Sequence, residues 1–350
     1  MLLSYWDGGW VLLDVTDPAN PVYLGDTDYP EFDQLFPTVT PPEGNAHQAE
    51  FTADNRFIIG TDEDFAPFRL LVETDDAGSY LAKPGTQTAI EDAEAVTGTT
   101  IFVGAACTGG AAVPAAPATG GPYIAVVERA VCTFEEKVAN IVAAGGYDAV
   151  IIMNREGPDA CRSVFEPFLE SEALPVIFLG RDAGYGLFDV EAEFDLAACL
   201  EGDPNAPAPA PIAVGTVGDV VEGVTSSFDG WGYVRLFDAE TLAELDQYAI
   251  PESMDPAFAE GFGDLSVHEV AVDPLDPSLA YLSYYSGGFR AIQIQCSSPT
   301  DTSTCSLVEV GGYLDPLGND FWGVETFVRD GTTYILASDR DYGLFIFVDP

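Results

Sequence analysis

Apolar residues in this chain fall into short runs of strand length, broken by Gly, Asp, Asn and Pro. "LSYWDGGWVLLDV" (3–15) aligns without a gap on "LSYYSGGFRAIQI" (282–294). Each is an apolar strand, a polar Gly-Gly turn and a second, alternating strand, the pattern of a hairpin. "YILASDRDYGLFIFVDP" (334–350) is a third copy. A fourth is split, with "RFIIGTDEDF" (56–65) as its first strand and "GWGYVRLFDAETLAELDQYAIP" (230–251) as the next two. A further strand precedes three of these hairpins: "AHQAEFT", "VHEVAVDP" and "WGVETFVRDG". The repeating unit is therefore four short strands in about 50 residues, the pattern of a propeller blade. The predicted fold is mainly β, built of propeller-like blades of four-stranded antiparallel sheets. Counting strands gives about three and a half blades, fewer than the roughly four a ring needs. An incomplete ring or a fragment is expected.

Between the halves of the split copy the periodicity changes. "YIAVVE" and "DAVIIMN" are continuous apolar runs, which suit strands buried on both faces. "TFEEKVANIVAAGG" repeats apolar residues at helical spacing (Phe134, Val138, Ile141, Val142). Thr133 and Glu136 form a predicted capping box, and Gly145 ends the helix. "LPVIFLG" is another strand and "RDAGYGLF" a short helix. Strand–helix–strand with a short crossover implies a parallel pair. The expected organisation is blades over 1–73, an α/β insert over 74–223, and blades again over 224–350. An Ala/Gly/Pro-rich stretch, "GGAAVPAAPATGG", lies inside the insert, and the linker "EGDPNAPAPAPIAVG" lies near its end.

Two resemblances attach to these patterns. In "GGWVLLDVTDPANPVYLGD", Gly9, Val11, Leu12, Leu13, Asp14, Val15, Thr16, Asp17, Pro18, Asn20, Pro21, Val22 and Gly25 resemble the LVIVD repeat of bacterial and archaeal surface or secreted propellers. Asp-Pro and Asn-Pro force a turn there, and Asp14 can accept backbone amides. In the insert, Glu128, Arg129, Cys132, Phe134, Lys137, Val138, Ala144, Gly145, Ala149, Val150, Asn154, Pro175 and Val176 resemble the protease-associated (PA) domain. Ala130 stands where that family has glycine. The resemblance implies a non-catalytic lid or docking module, with Arg129, Cys132, Phe134 and Lys137 as its motif residues.

Composition narrows the function. Twelve Lys+Arg against 58 Asp+Glu give a formal net charge of -46 over 350 residues. That surface excludes nucleic acid and anionic membranes as partners, since both demand a positive footprint. No apolar run is long enough to span a bilayer. "MLLSYWDGGW" lacks the basic region of a signal peptide. Even cysteine usage without C-x-x-C pairs points to disulfides in an exported protein, so an extracellular or cell-surface location is expected, with any signal upstream of this sequence.

Cys132 at a helix mouth could be a nucleophile, but the insert holds no histidine to serve as its base. The reading adopted is a disulfide with Cys107. Cys161 with Cys199 and Cys296 with Cys305 are the remaining hypothesised pairs among fifteen connectivities. His47 and His268 occupy equivalent positions of two repeats, beside Glu50 and Glu269, and Trp322 replaces them in the third. These residues are either a metal set in the channel or satisfied polar residues of its wall. The acidic turns "TDEDF", "DGG" and "SDRDYG" have oxygens that suit Ca²⁺ and are otherwise solvated turns. No other cofactor is expected. There is no G-x-S-x-G, no H-E-x-x-H and no phosphate-binding glycine loop. The chain is therefore expected to be a non-enzymatic binding protein for a protein, peptide or cell-surface glycan. The alternative is the accessory part of a secreted hydrolase, with the PA domain gating substrate access.

Overall fold

The computed structural model describes residues 1–6, 8–27, 44–157, 160–171, 173–191, 194–202 and 211–348. Asp7 of the "DGG" turn and most of the predicted linker lie outside the described residues. The chain begins with β1 (Leu2–Ser4), β2 (Trp10–Asp14), β3 (Val22–Asp26), β4 (Ala46–Phe51) and β5 (Phe57–Asp62). Next come β6 (Phe68–Thr74), β7 (Ser79–Pro84), α1 (Ile90–Glu94), β8 (Gly98–Phe102), β9 (Tyr123–Glu128), α2 (Phe134–Ala144), β10 (Ala149–Met153), β11 (Val176–Leu179), α3 (Arg181–Gly186), α4 (Leu196–Glu201) and β12 (Val217–Phe228). Then follow β13 (Val234–Asp238), β14 (Glu244–Tyr248), β15 (Glu269–Val272), β16 (Leu279–Ser283), β17 (Phe289–Cys296), β18 (Cys305–Tyr313), β19 (Phe321–Arg329), β20 (Thr332–Asp339) and β21 (Gly343–Val348).

These elements form two compact units, divided between Pro67 and Phe68 and between Phe228 and Asp229. Residues 68–73 and 224–228, assigned by sequence to the blades, lie in the inserted unit. The reason is pairing: Phe68–Thr74 forms a long antiparallel ladder with β12, from Phe68 opposite Phe228 to Thr74 opposite Val221. No local pattern distinguishes such a strand from a blade strand.

The first unit holds separate antiparallel sheets: β1-β2-β3, β14-β13-β5-β4, β15-β16-β17-β18 and β19-β20-β21. Side chains alternate across each sheet, so each has two faces to bury. Ile58 and Phe237 pack with Trp10 on one face of the second sheet. Phe57, Ile59 and Leu236 pack on the other, against Val270, Leu282 and Ile292 of the third. Ala271 and Tyr281 then meet Phe321, Ile335 and Ala337 of the fourth. The sheets are thus layered in chain order. Gly60 makes one close approach work, because a Cβ there would stand 2.7 Å from the Trp10 ring. Isolated bridges repeat at equivalent positions, Trp6 to Ala46 and Tyr285 to Phe321.

The inserted unit is a closed barrel in the order β10-β11-β7-β6-β12-β8-β9. The predicted parallel pairing is present, with β9, β10 and β11 side by side in parallel. β8 also joins β9 in parallel. Ile124, Val126, Ile151 and Met153 bury on one face. Ala125, Val127, Val150 and Ile152 bury on the other, with Val138 and Ile141 of α2. Burial on both faces explains why these strands read as unbroken apolar runs.

Helix α2 follows its predicted bounds, with one change of partner. Thr133 Oγ1 accepts the Glu136 N–H at 3.2 Å, which is half of a capping box. The Glu136 carboxylate does not return to Thr133; it accepts the Thr108 N–H at 2.7 Å. Val142 is exposed, and Lys137 is fully buried in its stead. Among the described residues, no helix is long and apolar enough to cross a membrane.

Candidate functional site

In the inserted unit, β9 delivers the chain into the turn Arg129–Cys132, and α2 carries it away. Cys132 is bonded to Cys107, so it is no nucleophile. Cys161–Cys199 and Cys296–Cys305 are also bonded. Three disulfides fit an oxidising, extracellular setting. Ala130 and Val131 both take positive φ, 84° and 74°. This region is costly for any residue with a Cβ and most so for a β-branched one. The glycine that the PA pattern places at Ala130 would relieve part of that cost. The turn is held from below. Lys137 Nζ donates to Ala105 O at 2.7 Å and to Ala130 O at 2.8 Å, tying both sides of the disulfide to the helix. Burial lowers the Lys137 pKa from its usual value, and nearby Glu128 and Glu136 oppose that. Arg129 lies over the Phe165 ring and donates to Asn154 Oδ1 at 3.0 Å. Phe134 meets Phe178 edge-on. Val131, at the tip, is 87% exposed.

In the first unit, β4, β15 and β19 lie alongside one another and are stitched by side chains. Glu50 and Glu269 belong to this stitching. Glu50 Oε2 accepts the Val272 N–H at 3.0 Å, and Glu269 Oε2 accepts the Val324 N–H at 3.1 Å. Both carboxylates thus have an oxygen committed to backbone, the satisfied-polar alternative of the sequence reading, while the other oxygen of Glu269 lies 4.0 Å from His268 Nδ1. Gln48 performs the same task for Val270 N.

His47 and His268 do come together, with ring centroids 4.2 Å apart. Each sends Nδ1 to a main-chain carbonyl of the neighbouring strand: His47 to His268 O at 3.0 Å, His268 to Trp322 O at 2.5 Å. A carbonyl only accepts, so Nδ1 carries a proton in both rings. Both Nε2 atoms face a carboxylate that sequence reading did not assign, that of Glu63. The distances are 3.4 Å from His47 Nε2 to Oε2 and 3.5 Å from His268 Nε2 to Oε1. Tyr285 donates its O–H to Glu63 Oε1. Trp322 stacks on His268 at 4.8 Å, and Tyr285 stands edge-on to it. Burial, with the neighbouring His47, pushes the His268 pKa down to about 4, so this ring is neutral at physiological pH. Burial raises Glu63, while the Tyr285 hydroxyl and His47 pull the other way. The signal for Glu63 lay in repeat register: it occupies the place of Trp6 and Tyr285, where each hairpin leaves its first strand.

The turn "TDEDF" is not solvated as expected, with Asp62, Glu63 and Asp64 all buried, whereas in "SDRDYG" Asp339 is buried and Asp341 is exposed. Asp62 pairs with Arg235 at 2.5 Å. Asp64 accepts the Ala66 N–H, and Asp339 accepts from Asn319, Asp320, Asp341 and Tyr342. Asp14 behaves as its turn requires, accepting both the N–H and the hydroxyl of Thr16.

The inserted unit is thus a disulfide-braced α/β barrel module. Residues 92–187 match the PA domain family, and this segment is a PA domain. A search of curated proteins finds no match. Among solved structures, a zinc aminopeptidase from Bacillus subtilis is 17% identical with a TM-score of 0.28, covering 51% of this chain and 36% of its own. An aminopeptidase from Aneurinibacillus sp. strain AM-1 is 18% identical with a TM-score of 0.26, covering 51% and 37%. The chain therefore spans little more than a third of the length of these structures.

Proposed function

We propose that this is a non-catalytic extracellular binding protein. Its PA domain presents a recognition loop for a protein, peptide or cell-surface glycan, and its layered sheets are blades of a propeller-like scaffold of LVIVD type. The scaffold reading is supported by the chain-order layering of the sheets and by the repeated bridges between them. The observation that carries the binding reading is the loop Arg129–Cys132. Two adjacent non-glycine residues are held in a costly conformation by a disulfide and a buried lysine. The product of that cost is a rigid, exposed valine. Strain maintained by surrounding structure at an exposed tip is a mark of functional loops.

The test is to probe the full chain against a peptide array and a glycan array, alongside Val131→Asp. Capture of one class by the parent and its loss in the variant, at unchanged melting temperature, is the expected result. Equal capture by both proteins, or none by either, overturns the reading. The PA match itself favours a second reading, an accessory part of a secreted hydrolase. A change in the substrate range of a hydrolase joined to this chain, on Val131→Asp, would decide for that one.

A further inference from the structure

We propose that His47, Glu63 and His268 form a binding site for a divalent first-row transition metal, with zinc as the best-fitting ion and Tyr285 as the outer partner that orients the carboxylate. The three side chains come from β4, from the residue following β5 and from the residue preceding β15, so the fold alone assembles them. Their ligand atoms lie within 4.8 Å of one another.

Three observations carry the proposal. First, both Nδ1 protons are committed to main-chain carbonyls, so both Nε2 atoms are turned toward one buried carboxylate, the direction from which a cation would be held. Second, the spacing leaves room for an ion: each Nε2 faces its own oxygen of the Glu63 carboxylate, at 3.4 Å for His47 and 3.5 Å for His268, close to the about 3.4 Å between ligand atoms of a tetrahedral ion with bonds of about 2.1 Å. Third, the outer partners are those of metal sites. Histidine ligands donate their other N–H to a carbonyl, which fixes the tautomer, and ligating carboxylates are themselves hydrogen-bonded. Here His268 O, Trp322 O and the Tyr285 hydroxyl fill those roles.

Two nitrogens and a carboxylate favour zinc and its neighbours over Ca²⁺ or Mg²⁺, which take oxygen ligands. Glu63 and His268 side chains are nearly closed off, at 6% and 5% exposure, while His47 is 26% exposed and gives the ion its way in. Three protein ligands leave a fourth position for water or a ligand. This proposal is independent of the PA-loop reading.

The test uses the full chain, stripped with chelator and titrated with Zn²⁺ in excess Mg²⁺, which occupies the many surface carboxylates. One zinc should bind per chain and raise the melting temperature. Co²⁺ should give the strong visible absorption of a four- or five-coordinate nitrogen site. His47→Asn and Glu63→Gln should each weaken binding by more than the roughly 10–100-fold expected on losing an outer partner, and Tyr285→Phe by about tenfold or more. Unchanged affinity in either ligand variant, a weak octahedral Co²⁺ spectrum, or binding only at millimolar zinc overturns the site. If a variant fails to fold, the cobalt spectrum and zinc-dependent melt of the parent still decide the question.

Discussion

At the scale of the residue, this protein turns on groups whose surroundings differ from what their type suggests. Asp219 is one. It lies in the inserted unit among Asp76, Asp189 and Asp75, and its Oδ2 is buried without a hydrogen-bond partner. Burial first, then these neighbouring carboxylates, pushes its pKa up to about 6. Because the folded chain holds this proton more tightly than the unfolded one, the carboxyl does no harm below about pH 4, where both states are protonated. Its penalty builds as pH rises from about 4 to about 6 and is complete above that. Asp219→Asn should therefore raise the melting temperature at pH 7.5 and leave it nearly unchanged at pH 4, as read by thermal melts across that range. The opposite trend would show that the charged form is stabilised by a partner. Glu63 makes the complementary point. Its neighbours in sequence are acidic turn residues, and nothing in "TDEDF" distinguishes the carboxylate that meets two histidines from the one that pairs with Arg235. The histidines were legible because they repeat. Their third partner was marked only by repeat register, because it comes from the adjoining strand end and its neighbours in sequence are equally acidic.

At the scale of the element, the strand–turn–helix from β9 to α2 shows how far local pattern reaches. Apolar periodicity, the Thr133 cap and Gly145 define the helix before any packing is known. Lys137 does not fit that pattern. A lysine at a helical position reads as solvent-facing, yet it is buried with its ammonium on Ala105 O and Ala130 O. The two carbonyls belong to segments joined by the Cys107–Cys132 bond, so only the closed loop creates the site. Lys137→Met should keep the apolar stem but strand both carbonyls. A loss of about 2–4 kcal/mol is expected from chemical denaturation. A loss below about 0.5 kcal/mol would place the ammonium in water instead.

At the scale of the whole molecule, charge is the dominant quantity. A formal net charge of -46 on 350 residues is a self-repelling surface, all the more because five of its twelve lysines and arginines, Arg69, Lys83, Lys137, Arg181 and Arg235, are buried. Raising NaCl from about 0.01 to 1 M shortens the screening length from about 30 to 3 Å. The melting temperature should climb over that range; a flat or falling curve would show that pairwise attractions outweigh the repulsion. The division into two units is also a property of this scale. Blade-like repeats and the change to α/β pattern revealed the insert, but its edges lie several residues outside the change in pattern because closing the barrel recruits Phe68–Thr74 and the end of β12.

Sequence by itself determined what depends on neighbours along the chain: hairpins from alternation and Gly-Gly turns, the helix from its period and cap, the parallel strands from continuous apolar runs, and the PA motif from residue order. Tertiary structure alone decided which strand closes the barrel, which acidic residues are buried, and that Glu63 faces the Nε2 atoms of both histidines. The physical reason is range. Turns and helices are set by torsions and by hydrogen bonds a few residues long, whereas burial and convergence depend on which distant strands share a face, as with His47 and His268.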